Sequence, residues 1–227
     1  MALDPDRVEK ELTDVMNEVW VEDSPFIADF VEGKVPKENL ARFAPSYCYQ
    51  VEQFKRCVAA VYVQAEPHDV RALMLANLEE EHGEGDPSRD HTALVAKFAR
   101  ALGATIEDIY AVEPIPESRE WIDRILRVCR DEDFVVGLAA ISFGIEFRTQ
   151  TMALLGQIYR DQYGLSEDDL EFFFMHLEAD EEHAGRAIEL VRKYCTTEEQ
   201  LDRCKGGVRE VLEATKRVAE GVERVCS

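Results

Sequence analysis

The segment "FVVGLAAISFGI", residues 134–145, is apolar on almost every side when wound as a helix. Such a helix belongs at the centre of a protein, sheathed by others. It opens a longer run, "DEDFVVGLAAISFGIEFRTQTMALLGQIYRDQYG", which reads as one long central helix. The surrounding sequence supplies the sheath. "PDRVEKELTDVMNEVW" repeats apolar residues at helical spacing. "DSPFIADFVEGK" offers Ser24 as a cap, Pro25 at the first helical position and Gly33 at the end. "PKENLARFAPSYCYQVEQFKRCVAAVYVQAE" is a long helix with a kink expected at Pro45.

Further helices follow in "HDVRALMLANLEEEH", "DHTALVAKFARALG", "TIEDIYAV" with Thr105 as cap, and "REWIDRILRVCR" after a loop with two prolines. "SEDDLEFFFMHLEADEEHAGRAIELVRKYC" begins with a Ser166–Asp169 capping box. "TTEEQLDRCKGGVREVLEATKRVAEGVERVC" closes the chain, with a break expected at Gly206–Gly207. No strand pattern and no repeat is present. The expectation is all-α: one bundle of about seven to eight helices, spanning residues 1–227 as a single domain.

Charge excludes several functions. The net charge of -21 opposes a phosphate backbone or an anionic membrane surface, so neither nucleic acid nor membrane is expected as a partner. No apolar run is long enough to span a bilayer, and the charged start lacks the core of a signal peptide. The six cysteines form no CxxC pair, which fits reduced thiols in a cytoplasm.

The chemistry sits in the histidines, of which the chain has five. "HLEADEEH" places His176, Asp180 and His183 at about 0°, 40° and -20° around one helix, a single stripe. Two imidazoles and a carboxylate on one stripe suit half of an iron, manganese or zinc site. A polar face that merely carries histidines is the alternative. Glu146 lies in the most apolar helix, where an unpaired carboxylate is costly unless it binds a cation. "EEEHGEGDPSRDH" interrupts a helix between Glu81 and His91. A regular helix would set these two about 80° apart. Gly83, Gly85 and Pro87 permit a break that turns both inward. Continuous helix would instead make Glu84 the better carboxylate, about 20° from His91. Glu79, Glu80 and Glu84 otherwise read as a solvated acidic face, and His82 as a surface or supporting residue. Three carboxylates and three histidines suit two metal ions bridged by carboxylate in a helical core.

This ordered set resembles the heme-oxygenase-like di-iron oxidases and oxygenases, and within them the branch containing the chlamydial protein that associates with death domains. The resemblance runs from "GKVPKENLARFAPSYCYQVEQF" through "HLEADEEHAGRA". It implies a heme-oxygenase-like fold and a pair of iron ions, with manganese–iron as a variant. The implied ligands are Glu81, His91, Glu146, His176, Asp180 and His183. It also implies O2 activation to oxidise a small amine, amino acid or fatty-acid-like substrate, for which Arg148 could hold a carboxylate. A homodimer is a further expectation. Heme is disfavoured, because no histidine precedes His68. A thiaminase-like activity is disfavoured, because "FVVGLAAISFGIEFRT" contains no cysteine. The chlamydial branch is associated with para-aminobenzoate made from its own tyrosine, with a lysine as amine source. Ungapped matching puts Ile27 and Gly156 at those positions. Tyr47 and Tyr49 stand nearby in sequence as alternatives for the tyrosine. A non-catalytic helical binding protein is the reading from a different class.

Overall fold

The computed structural model describes residues 3–19, 24–111, 113–145 and 149–227, with side chains described at all of these except 111, 149–150 and 176–184. Among the described residues the regular structure is entirely helical. The α-helices run α1 (Pro5–Glu18), α2 (Pro25–Val31), α3 (Lys37–Leu40), α4 (Ala44–Gln64), α5 (His68–Glu81), α6 (His91–Leu102), α7 (Ile106–Ala111), α8 (Pro116–Asp131), α9 (Phe134–Gly144), α10 (Thr149–Tyr163), α11 (Glu171–Tyr194) and α12 (Glu198–Cys226). None is long and apolar enough to cross a membrane.

The expected caps are present. Ser24 accepts from the Ile27 amide, with Pro25 following. Thr105 and Asp108 cap one another, as do Ser166 and Asp169. The second box opens a short 3-10 turn, Asp168–Leu170, ahead of α11. Thr197 and Gln200 form a further capping box on α12.

Among the described residues the twelve α-helices exceed the expected seven or eight, and two of the additional ones have local reasons. Pro45 does not kink a long helix; it sits in the first turn of α4, where its missing N–H would have had no partner. The apolar run of residues 131–164 is two helices rather than one. α9 stops at Gly144, and Ile145 leaves helical geometry at φ -126°, ψ -64°. Gly144 lies where a Cβ would come within 2.8 Å of Val211, so α9 and α12 touch backbone to side chain there. The expected break at Gly206–Gly207 is absent, because Gly207 serves packing: a Cβ there would stand 3.0 Å from Val136 and 3.2 Å from Val128.

Residues 135–144 of α9 are all buried, as the sequence requires. The helix is wrapped by α1, α4, α8, α11 and α12. This forms one apolar cluster, joined by Val61, Leu73, Met74, Val191 and Leu212. A second cluster gathers Phe30, Leu94, Phe98, Ile158, Leu170, Phe172 and Phe173 around α6, α10 and the start of α11. α5 ends against the first cluster at Leu78, and α6 enters the second at Leu94. The break between α5 and α6 therefore lies on the seam between two cores.

Candidate metal centre

The break is built by backbone geometry. α5 ends at Glu81, and a 3-10 turn at Gly83–Gly85 follows. Gly83 and Gly85 have φ of +75° and +91°, and Glu84 adopts φ 52° between them. Such angles suit glycine and strain other residues. The chain folds back so closely that a Cβ on Gly83 would lie 2.6 Å from the Asp90 nitrogen. Asp90 then caps α6 by accepting from the Thr92 amide at 2.9 Å. The next residue is His91.

The reversal brings Glu81 and His91 together. His91 Nδ1 lies 3.1 Å from Glu81 Oε2, with the His91 side chain 3% exposed and that of Glu81 13%. The two groups are within ion-pair distance of each other, buried from bulk water. Burial opposes protonation of His91; the Glu81 carboxylate outweighs it and raises the imidazole's affinity for a proton. The same field would favour another cation in the proton's place. Glu84 is exposed and takes no part. His82 is exposed and turns its Nδ1 to Asp90 at 3.2 Å. Glu79 is exposed and Glu80 partly so.

Aromatic side chains close one flank. The Phe172 ring meets His91 edge-on at 5.6 Å and Tyr47 at 5.7 Å. Burial pushes the Tyr47 hydroxyl far above its usual range, with Tyr159, Cys48 and the Glu81 charge adding to it. Tyr47 therefore stays a neutral phenol, its hydroxyl 3.8 Å from Met152 Sδ. Tyr49 lies elsewhere, its ring 5.9 Å from the Arg119 guanidinium.

α11 packs against α5, α6, α9 and α10. Positions 176, 180 and 183 continue the helix face that starts at Phe172 and Phe173. The side chains of His176, Asp180 and His183 lie outside the described residues, and so do Glu146 and Arg148. Four of the six candidate ligands are thus not described, and among the described residues no three metal-binding side chains cluster.

The sequence reading missed Lys55. It sits in the middle of α4, and its side chain is 6% exposed. Its Nζ lies 2.8 Å from both Asp90 oxygens, 3.1 Å from Thr92 Oγ1 and 3.2 Å from Glu52 Oε2. Flanked by Glu52, Gln53 and Arg56, it gave no local signal of burial.

A helical bundle in which a carboxylate and an imidazole converge, buried, at a helix break defines a class: helical proteins equipped to hold a transition metal. Residues 41–216 match the model of a family described as iron-containing redox enzymes, and the chain belongs to that family. It is an oxidoreductase. It is 28% identical to the 4-aminobenzoate synthase of Nitrosomonas europaea, over 89% of this chain and 86% of that one. It is 26% identical to the 4-aminobenzoate synthase of Chlamydia trachomatis, over 87% and 80% of the two. Among solved structures, a heme-oxygenase-like domain from Shewanella denitrificans superposes with a TM-score of 0.81 at 19% identity, covering 98% of this chain and 93% of that one. A CADD-like protein from Nostoc punctiforme gives 0.80 at 17%, covering 98% and 99%. A TenA homologue from Pseudomonas syringae gives 0.76 at 15%, covering 97% and 91%. These structural likenesses establish the heme-oxygenase-like fold.

Proposed function

We propose that the chain is an O2-dependent non-heme di-iron oxidase or oxygenase acting on a small molecule. In this reading Glu81, His91, Glu146, His176, Asp180 and His183 hold two iron ions, or one iron and one manganese. The observation that carries it is the pair Glu81–His91. A largely buried carboxylate is unfavourable by several kcal/mol, roughly, unless a cation meets it. Glu81 Oε2 and His91 Nδ1 stand 3.1 Å apart in a buried position, a carboxylate and an imidazole placed to share one cation. A mixed oxygen and imidazole donor set suits iron or manganese.

When bound, such an iron pair supplies O2 activation. The chain's own groups do the rest. Glu81 contributes negative charge and His91 a neutral donor nitrogen. Phe172 and Tyr47 shut water out from one side, which protects a reactive centre. The Tyr47 hydroxyl, held protonated, has no acidic proton to lose near neutral pH.

The names of the relatives favour an aromatic amine product, 4-aminobenzoate, as the specific outcome. A lysine at position 156 as amine source is not available in this chain. A Cβ on Gly156 would lie 2.9 Å from the Phe174 ring and 3.0 Å from Phe173 Cβ, so no side chain fits without moving α11. The amine would then come from another residue or from a free small molecule.

Anaerobic loading with ferrous iron tests the reading. Uptake near two iron ions per chain, with a transient visible absorption on exposure to O2, is expected. Folded protein that takes up no iron would reject it. Incubation of loaded protein with O2, followed by a search for released 4-aminobenzoate, tests the narrower outcome.

A further inference from the structure

We propose that Lys55 and Asp90 form a positioning pair that sets where His91 stands relative to Glu81, and so governs how tightly the site holds metal. The inference rests on the reading of Glu81 and His91 as ligands.

Lys55 approaches four oxygens: two of Asp90, one of Glu52 and one of Thr92. Its target is not an arbitrary point on α6. Asp90 is joined by one peptide bond to His91, and the same carboxylate receives the Thr92 amide. One side chain therefore fixes the residue before the imidazole and the first turn after it. α4 is the anchor, a helix of 21 residues running alongside both α5 and α6. The segment that needs fixing is the intervening break, with three consecutive residues at positive φ. Such backbone holds its shape only where its surroundings impose it.

A staple between α4 and α6 needs no buried ammonium. An apolar contact of the same volume would serve, and often serves better. An ammonium chelated by both carboxylate oxygens fixes a position and a direction instead. Metal ligands require that kind of placement, since their distances hold within about 0.2 Å. Groups that orient ligands are typically worth about 10–100-fold in metal affinity.

The test compares wild type, Lys55→Met, Lys55→Arg and Asp90→Asn. Anaerobic equilibrium titration with ferrous iron gives stoichiometry and affinity. Titration with cobalt(II) gives a visible spectrum that reports ligand geometry. Helix content and the melting temperature of the metal-free protein are measured in parallel. Folded Lys55→Met and Asp90→Asn should bind one of the two metals about 10–100-fold more weakly. Their cobalt spectra should change. Lys55→Arg should recover part of the affinity. A purely structural staple would lower the melting temperature and leave affinity and spectrum as in wild type; that result overturns the proposal. If Lys55→Met fails to fold, Asp90→Asn and Lys55→Arg decide by the same criterion, because both keep a polar partner in place. A wild-type chain that takes up no metal would overturn the metal reading itself, and with it the pair's role.

Discussion

Replacing Gly83 with alanine should damage both the proposed metal site and the fold, and Gly85→Ala supplies the internal control. Both glycines have positive φ, +75° and +91°. Alanine at either position carries the backbone penalty of about 1–2 kcal/mol. Gly85 has nothing within 4 Å of its would-be Cβ, so it stops there. Gly83 does not. Its Cβ would sit 2.6 Å from the Asp90 nitrogen and 2.7 Å from the Arg89 carbonyl carbon. Ordinary contact begins at 3.4 Å, so the backbone beside His91 must retreat by about 3.4 minus 2.6, or 0.8 Å. That retreat adds about 1–3 kcal/mol of overpacking strain. The expected losses are therefore about 2–5 kcal/mol for Gly83→Ala and about 1–2 kcal/mol for Gly85→Ala. A displacement of about 0.8 Å also exceeds the ligand tolerance of about 0.2 Å several times over. Iron affinity should fall at least about tenfold in Gly83→Ala and stay near wild type in Gly85→Ala. Urea unfolding of the metal-free proteins and anaerobic iron titration measure the two effects. Equal destabilisation in both variants, with unchanged iron binding in both, would refute the account of the break.

Asp180→Asn should leave the helical fold intact while lowering iron stoichiometry from about two towards one and abolishing O2-dependent turnover. A large fall in metal-free melting temperature with unchanged iron content would reject the metal role of that residue. Tyr47→Phe should change stability by less than about 1 kcal/mol, because among the described residues the hydroxyl's hydrogen-bond partner is the Met152 sulfur at 3.8 Å; a loss of 3 kcal/mol in urea unfolding would contradict this. Asp69 links α5 to α11 through Lys193 and Tyr194, and these hydrogen bonds, the lysine's first, hold its carboxyl down at about 2. Its folded-state value is depressed, so its stabilisation is present above the ordinary carboxylate range and is lost as pH falls towards 2. The side chain is 40% exposed, so the effect should stay under about 1 kcal/mol. Comparing Asp69→Asn with wild type between neutral pH and pH 2 should show the difference shrinking as acid is added.

The helices and most of their caps were legible because they depend on neighbours in sequence. Ser24 with Pro25, Thr105 with Asp108, and Ser166 with Asp169 all act within a few residues. The break at Gly83 was legible for the same reason: two glycines and a proline leave few other conformations. The division of residues 131–164 was not legible. The run has no proline, and the close approach of Gly144 to Val211 spans 67 positions (211 minus 144). Gly206–Gly207 misled in the opposite direction, since a glycine in mid-helix can mark a contact with Val136 and Val128 as well as a break. Lys55 was hidden because its partner lies 35 residues on, beyond any helical register.

The layout also shows how the proposed metal site and a stable bundle would coexist in one chain. Burial around α9 involves α1, α4, α8, α11 and α12, and the apolar contacts there need no metal. Glu81 and His91 stand at the end of one helix and the start of another, on the seam where two cores meet. Helix ends are where backbone can depart from the regular ladder at least expense, because their terminal groups lack intrahelical partners in any case. A carboxylate placed in mid-α9 would have forced charge into the tightest packing of the molecule. Placed at the break, Glu81 remains 13% exposed and needs only one cation to be satisfied. The strained turn that this requires is confined to three residues, and it is tied down by Gly83 from one side and by the Lys55–Asp90 pair from the other.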